Sequence, residues 1–599
     1  MNFENIIAGK VQEAFLKLYN KEIDLSQLAF QPTRKEFQGD LTLVVFPLAK
    51  ISGYPSEKTG NEIGASLAEN CAIVGSYNMV KGFLNLVIVD DEWLKLFRES
   101  LDDSNFGIRN ADSGDAPVVV EYSSPNTNKP LHLGHVRNNL IGYSVAEILK
   151  ANGKNVKKVN LVNDRGIHIC KSMIAWQKFG NGETPEQSGI KGDHLVGKYY
   201  VAFDKYFKEE VDALVNSGTS KEQAAKESPM MLETQEMLRK WESGDNQVLS
   251  LWKKMNGWVY EGFDETYKML GVDFDKYYYE SETYLLGKKI IEQGLEQGVF
   301  FRKPDGSVWV DLTNEGLDQK VLLRADGTSV YITQDIGTSY LRFEEFGFSE
   351  MIYVVANEQD YHFKVLKKVL KKLGFSWWEK LFHLNYGMVD LPSGKMKSRE
   401  GTVVDADELM LEMYTTAKEL TQQLGKIEGF TTEEAEMLFR TIGMGALKYF
   451  ILKVDPDKKM LFNPAESVDF NGNTGPFIQY TYARIRSVIR KAEAMPEFAA
   501  VESSRNFPAE LPQKEKELIK IILRFPEVVA EAGKRYSPAI IANYAYELVK
   551  AYNQFYHEHP IIDKSHVPTS EFRLLLSVQC SRVIKSATGL LGISMPERM

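Results

Sequence analysis

Three side chains suited to phosphate chemistry crowd one short stretch of this chain. Ser123 to His135 reads SSPNTNKPLHLGH and places Lys129, His132 and His135 within seven positions. The stretch follows an apolar run, Val118-Val119-Val120, and leads into the helical pattern LGHVRNNLIGYSVAEILKANG. His132 and His135 are three apart at the start of that helix, so both rings share one face of its first turn. Open backbone N–H groups and the positive dipole end gather at the same place, which suits phosphate. An imidazole N–H donates well to phosphate oxygens on which charge develops during transfer. Gly134 allows close approach to the backbone. A zinc site would want a third ligand, and often an i,i+4 pair with glutamate. Neither accompanies HLGH, so phosphate is the expected ligand.

The elements that must hold this turn follow a strand–helix rhythm. From about residue 113 the chain reads VVVEYSS, then the helical pattern above, then VKKVNLVN. Further on come SVYITQD, TSYLRFEEFGF, MIYVVAN, FKVLKKVLKKLGF and LFHLNYGMV. This alternation predicts a doubly wound parallel α/β sheet over residues 113–404, with ligands at the carboxyl ends of its strands. A charged, helical stretch rich in Tyr, Trp and Lys, about 175–300, reads as an insertion splitting that sheet. Residues 1–112 read as a small α+β domain. They open with an amphipathic helix (Ile6, Ile7, Val11, Phe15, Leu16), continue through strand-like LTLVVFPLA and FLNLVIV, and end in the polar linker DDSNFGIRNADSGDA. After about 405 strand signals fade, which predicts a helical connector over 405–470 and an all-helical domain over 471–599.

Composition sets the outer bounds. With 599 residues the chain holds several domains, and 43% hydrophobic against 26% charged residues is ordinary globular usage. No run of about 18 apolar residues is present, so no membrane partner is expected. The start carries Glu4 and Glu13 and lacks the basic end and apolar core of a targeting segment. Cys71, Cys170 and Cys580 are far apart with no CxxC pair, which points to a reducing cytoplasm. The net charge is −10, yet Thr481 to Met599 holds 17 Lys and Arg against 13 Asp and Glu. A mildly basic end on an acidic body permits a polyanion partner there.

HLGH in this strand–loop–helix setting resembles the HIGH motif of class I aminoacyl-tRNA synthetases. The longer EYSSPNTNKPLHLGHVR is similar to the arginyl branch of that family, whose segment runs S-P-N-x-x-K-P-x-H-x-G-H-x-R. GKMKSREGTVV (Gly394 to Val404) resembles the family's mobile lysine loop, KMSKS, although Ser398 stands where a second lysine is usual. Arginyl enzymes lacking that lysine keep one just before HxGH, and Lys129 fills that place. Tyr331-Ile332-Thr333-Gln334-Asp335 matches the family's YxTxD, and ANEQDYH is similar to its Q-D-x-H segment. FQGDLTLVVFPLAK resembles the arginyl N-terminal domain thought to touch the tRNA corner. FNGNTGPFIQYTYARI and the ending GLLGISMPERM resemble the family's anticodon domain.

The resemblance implies arginine–tRNA ligase activity: arginine, ATP and tRNA(Arg) give arginyl-tRNA, AMP and pyrophosphate, with Mg2+ accompanying ATP. It implies catalytic roles for Lys129, His132, His135 and Lys395. ATP contacts would come from Leu131, His132, Gly134, His135, Lys395, Met396, Ser398 and Val404. Arginine contacts would come from Glu121, Ser123, Asn126, His135, Tyr331, Asp335 and Gln359, with His362 behind them. Arg484, Arg486 and Met599 would meet tRNA. A cytoplasmic monomer that needs tRNA to activate arginine is implied too. A cysteine-specific relative would show zinc-binding cysteines, and a glutamate-specific one would need a cationic pocket instead of Glu121 and Asp335. A catalytically silent tRNA-binding relative is the rival of a different kind.

Overall fold

The structure is a computed structural model describing residues 3–34, 36–111, 114–390, 404–425, 427–499, 501 and 506–599. Its centre is a five-stranded sheet, all parallel, ordered Leu381–Tyr386, Glu350–Ala356, Val118–Glu121, Val156–Val162, Lys276–Tyr279. Val118-Val119-Val120 reads as an unbroken apolar run because both faces of its strand are covered. Val118 and Val120 join the core that holds Leu133, Val136 and Leu140 of the helix Leu133–Ala151. Val119 faces the other way, among Ile336, Leu366 and Val369 of the helices Tyr331–Phe346 and Asp360–Lys372. The chain winds from Val118–Glu121 toward one edge and later returns to build the other, so the switch point lies beside Glu121.

Two sequence expectations need correction. The insertion does not run to about 300, because Lys276–Tyr279 is a strand of the parallel sheet, paired with Val159 to Val162. KYYY has no apolar alternation to separate it from the aromatic-rich helices before it. The helical insertion proper is Ile167–Phe179 through Asn246–Leu270. Asp164 pins it to the sheet: its carbonyl accepts from Trp252 Nε1 (2.7 Å) and Asn256 Nδ2 (3.1 Å). Its carboxylate takes the Ser281 amide (2.8 Å) and the Tyr260 hydroxyl (3.0 Å). SVYITQD, expected as a strand, opens the helix Tyr331–Phe346 after a small antiparallel sheet, Phe301–Arg302, Val308–Val310 and Lys320–Leu323. Its alternating Val330 and Ile332 mimic a strand, but both serve as one apolar turn facing the core.

The N-terminal region packs the helices Phe3–Tyr19 and Ser56–Asn70 on a four-stranded antiparallel sheet. Asp40, in the FQGD segment, docks it. The carboxylate is 5% exposed, accepts from the Ile88 amide (2.7 Å) and pairs with Lys520 and Lys516 on the helix Gln513–Leu523. Among the described residues after Val404, the regular elements are helices apart from the two-residue strand Met460–Leu461, which pairs with Val389–Asp390. The Asn-Gly-containing loop before Gly475–Glu493 is closed by Thr474, whose hydroxyl accepts from the Phe477 amide (3.3 Å). Gly475 lies on the backbone of Gly445 in the helix Thr432–Leu452; a Cβ there would sit 2.4 Å from the Gly445 carbonyl oxygen.

Candidate active site

His132 is the cap residue of the helix Leu133–Ala151, and the two histidines complete that cap reciprocally. His132 Nδ1 accepts from the Gly134 amide (3.1 Å), and His135 Nδ1 accepts from the His132 amide (3.2 Å). A nitrogen that accepts carries no proton, so each neutral ring holds its N–H at Nε2. The rings lie with centroids 4.0 Å apart. Burial, aided by the charge of Lys129, pulls His132 down to about 4, and burial beside His132 pulls His135 well below the ordinary imidazole value. Both are therefore neutral donors at pH 7. Gly134 is required by this packing, since a Cβ there would lie 2.9 Å from His132 Cε1. Arg137 of the same motif is fully buried and donates to the carbonyls of Pro456 (3.1 Å) and Lys458 (2.7 Å), so it serves docking.

The segment that follows Val404 is stitched to this turn. The Leu133 amide donates to the Val404 carbonyl (3.0 Å), and the Ala406 amide donates to that of Leu131 (3.0 Å). Lys395, Met396 and Ser398 lie outside the described residues. Lys129 is partly buried with no carboxylate within 4 Å among the described residues, and burial lowers its pKa. It lines a cavity of about 470 Å3 with Asn126, His132, Tyr331 and, from the insertion, His168, His194 and Lys198.

The side chains expected to meet the amino acid gather at the switch point. Glu121 ends the central strand, Gln359 closes a turn after Ala356, and Tyr331 and Asp335 share a face of the helix Tyr331–Phe346. Tyr331 and Gln359 are exposed. Asp335 Oδ2 meets His362 Nε2 at 2.5 Å. Burial disfavours charge on His362, but the hydrogen bond and charge of Asp335 outweigh it and raise its pKa. Glu121 is not open in the way the sequence suggests. Its carboxylate is buried and paired with Arg342, a fully buried side chain that local patterning gives no means of finding. Burial still raises its pKa, with Asp335 adding to the effect and Arg342 opposing it. Ser123 is also buried, its hydroxyl bonded to Tyr267 (2.6 Å) and its amide to Asn138 Oδ1 (2.6 Å). Ser123 and Ser124 hold positive φ (78° and 46°), strain that their surroundings must maintain. Glu280 is a further carboxylate that sequence reading missed. Gln334 donates to it (2.5 Å), and burial, together with the charges of Asp164 and Asp335, lifts it to about 7.

At the helical end, Arg484 donates to Asn553 Oδ1 (2.6 Å) and lies over the Tyr480 and Tyr556 rings. Arg486 is bonded to Glu597 (2.8 Å), which Arg490 also reaches through the Glu597 carbonyl. Met599 is partly buried against the core, and Tyr544 is wholly core.

The same elements recur in known proteins. Residues 101–463 match the family described as tRNA synthetases class I (R), catalytic domain, and residues 478–599 the DALR anticodon binding domain. The arginine–tRNA ligase of Bacteroides fragilis is 57% identical over 601 residues, and that of Parabacteroides distasonis 56% over 605, each covering the whole of both chains. The arginyl-tRNA synthetase structure from Thermus thermophilus superposes over all of both chains with a TM-score of 0.77 at 24% identity. With a family match over more than half its length and relatives at 56% and 57% identity along all of it, the chain belongs to the arginyl-tRNA synthetases, class I enzymes that use ATP to join arginine to tRNA.

Proposed function

We propose that the ATP phosphates occupy the HLGH turn and that arginine lies between Asp335, Tyr331 and Gln359. The observation that carries this is the reciprocal cap: with both Nδ1 atoms committed to backbone amides, two Nε2–H donors are fixed without rotational freedom. Preorganised donors stabilise a developing anion with little reorganisation. An arginine carboxylate oxygen attacks the α-phosphorus, the bond from that phosphorus to the bridging oxygen breaks, and pyrophosphate departs. His132 and His135 donate to the phosphate oxygens, while Lys129 supplies positive charge, with Lys395 added by the resemblance. A ribose hydroxyl of the terminal adenosine of tRNA(Arg) then attacks the activated carbonyl carbon and AMP leaves. Asp335 pairs with the guanidinium, for which a planar acceptor is well matched. Glu121 holds Arg342 in place at the strand end, and Asn126 and Gln359 are left for the amino acid's polar groups.

Mg2+ enters with ATP in this reading. Among the described residues one cluster has metal-like spacing, Asp193, His194 and Asp407. The Lys191 ammonium already lies 2.6 Å from Asp407, so that place is taken by an amine. Phosphate oxygens and water would supply the ligands of Mg2+. We assign residues 1–112 to the tRNA corner and 471–599 to the anticodon, with Arg484 the first candidate contact. A cytoplasmic monomer is in keeping with three free, buried cysteines and with the resemblance.

ATP–pyrophosphate exchange, run with each amino acid and with or without tRNA, tests this. His132→Ala and His135→Ala are each expected to lower kcat by about 100- to 1000-fold, His132→Ala with arginine KM little changed. Exchange that survives both, or that ignores arginine, refutes the assignment. Exchange equally fast without tRNA removes the tRNA requirement.

A further inference from the structure

We propose that His194, on the insertion helix Gly192–Asn216, is a positioning residue for the HLGH turn, acting through Asp405. The inference rests on placing the ATP phosphates at that turn.

Asp405 divides its carboxylate between two tasks. Oδ1 caps the helix Ala406–Gln423, accepting from the amides of Asp407 (2.8 Å) and Glu408 (3.1 Å). Oδ2 faces His194 Nε2 at 3.2 Å. The backbone of Asp405 forms a β-bridge with His132 itself, flanked by the Leu133–Val404 and Ala406–Leu131 hydrogen bonds. A side chain from the insertion therefore grips the residue whose main chain lies against the catalytic histidine.

The grip is electrostatic and enclosed. His194 Nε2 also lies 3.3 Å from Asp407 Oδ2, and Lys191 reaches the same oxygen. Thr266, on the far helix of the insertion, donates to Asp407 Oδ1 (2.8 Å), and the fully buried Asp193 accepts from the His194 amide (3.1 Å). Three carboxylates thus face two cations, which favours a protonated His194. The neighbouring carboxylates of Asp405 and Asp407 lift it to about 10, so the ion pairing persists across the working pH range. His194 and Asp405 line the cavity that holds Lys129 and His132, neither is among the residues expected to contact arginine or ATP, and periodicity does not connect residues so far apart in sequence. The consequence is mechanical. Displacing the insertion helix pulls on Asp405 and hence on the turn that carries His132, and small misplacements of such a turn cost much in rate.

His194→Ala and His194→Gln test this in ATP–pyrophosphate exchange with saturating tRNA. His194→Ala is expected to lower kcat about 10- to 100-fold and raise the ATP KM, leaving the arginine KM within about twofold. His194→Gln, which keeps a donor, is expected to recover most of the rate. Amide hydrogen exchange at Leu133, Ala406 and Glu408 should quicken in the alanine variant and return in the glutamine variant. His194→Ala with unchanged kcat, or His194→Gln no better than alanine, overturns the proposal. Should His194→Ala fold poorly, Asp405→Asn and its combination with His194→Gln decide: a combined loss no larger than that of Asp405→Asn supports one shared path, and additive losses overturn it. His132→Ala separates the two readings. If it abolishes exchange while His194 variants do not matter, only this inference fails; if it too is harmless, the phosphate assignment fails first.

Discussion

Removing the Asp335 carboxylate should cost arginine affinity far more than ATP affinity. Asp335 is 29% exposed and bonded to His362 at 2.5 Å, so it is held in one geometry yet not fully desolvated. Truncating one partner of a desolvated, hydrogen-bonded charge pair at a binding surface costs about 2–5 kcal/mol. The residual solvent access places Asp335 at the lower end, about 2–3 kcal/mol. At about 1.4 kcal/mol per tenfold, Asp335→Ala should raise the arginine KM about 30- to 150-fold. Asp335→Asn keeps the shape and loses the charge, so it should fall close behind if the guanidinium is the partner. The assay is arginine titration of ATP–pyrophosphate exchange at saturating ATP and tRNA, with a parallel ATP titration. An arginine KM within about threefold of the unaltered protein, or an ATP KM that rises equally, refutes the assignment. A general loss of structure would move both constants, which the split excludes.

Two further outcomes follow from pairs outside direct catalysis. The Asp335–His362 pair raises the folded-state pKa of His362, so its stabilisation is complete below the ordinary imidazole value of about 6.5 and is lost as pH rises through the raised value. The stability gap between the unaltered protein and Asp335→Asn should therefore be wider at about pH 6 than at pH 9 by denaturant titration; a gap that widens with pH reverses the sign of the reasoning. Asp40→Ala leaves the buried Lys516 with Asp90 and the Ile88 carbonyl as its partners and should weaken N-terminal docking by about 3 kcal/mol, seen as hydrogen exchange at the Leu511 amide, which donates across the same contact to Asp90, faster by about two decades. Unchanged exchange there would make Asp40 dispensable to docking.

The placement of the HLGH turn was legible because one stretch of chain supplies all its parts. HLGH needs a strand end, a helix start and two rings three residues apart, and all of these lie within Val118 to Ala151. Secondary structure was less legible where composition and context disagree. Val330-Tyr331-Ile332 alternates like a strand, and Lys276–Tyr279 reads as more of the aromatic insertion, although each does the opposite. The first error has an instructive consequence. Residues four apart share a side in a strand as well as in a helix, so Tyr331 and Asp335 would face the ligand in either conformation. In a strand they would stand about 13 Å apart, too far to flank one guanidinium. In the helix they are neighbours at about 6 Å, close enough to act on the same group. The proposed pairing of Tyr331 and Asp335 on one group therefore needs the helix and not the strand the sequence suggests. Availability is the deeper limit. Glu121 and Arg486 are the expected types at expected places, yet Arg342 and Glu597 already pair with them. Whether a charge is offered to a substrate or spent on the fold depends on a partner brought in by the tertiary structure, and no periodicity within either segment encodes it.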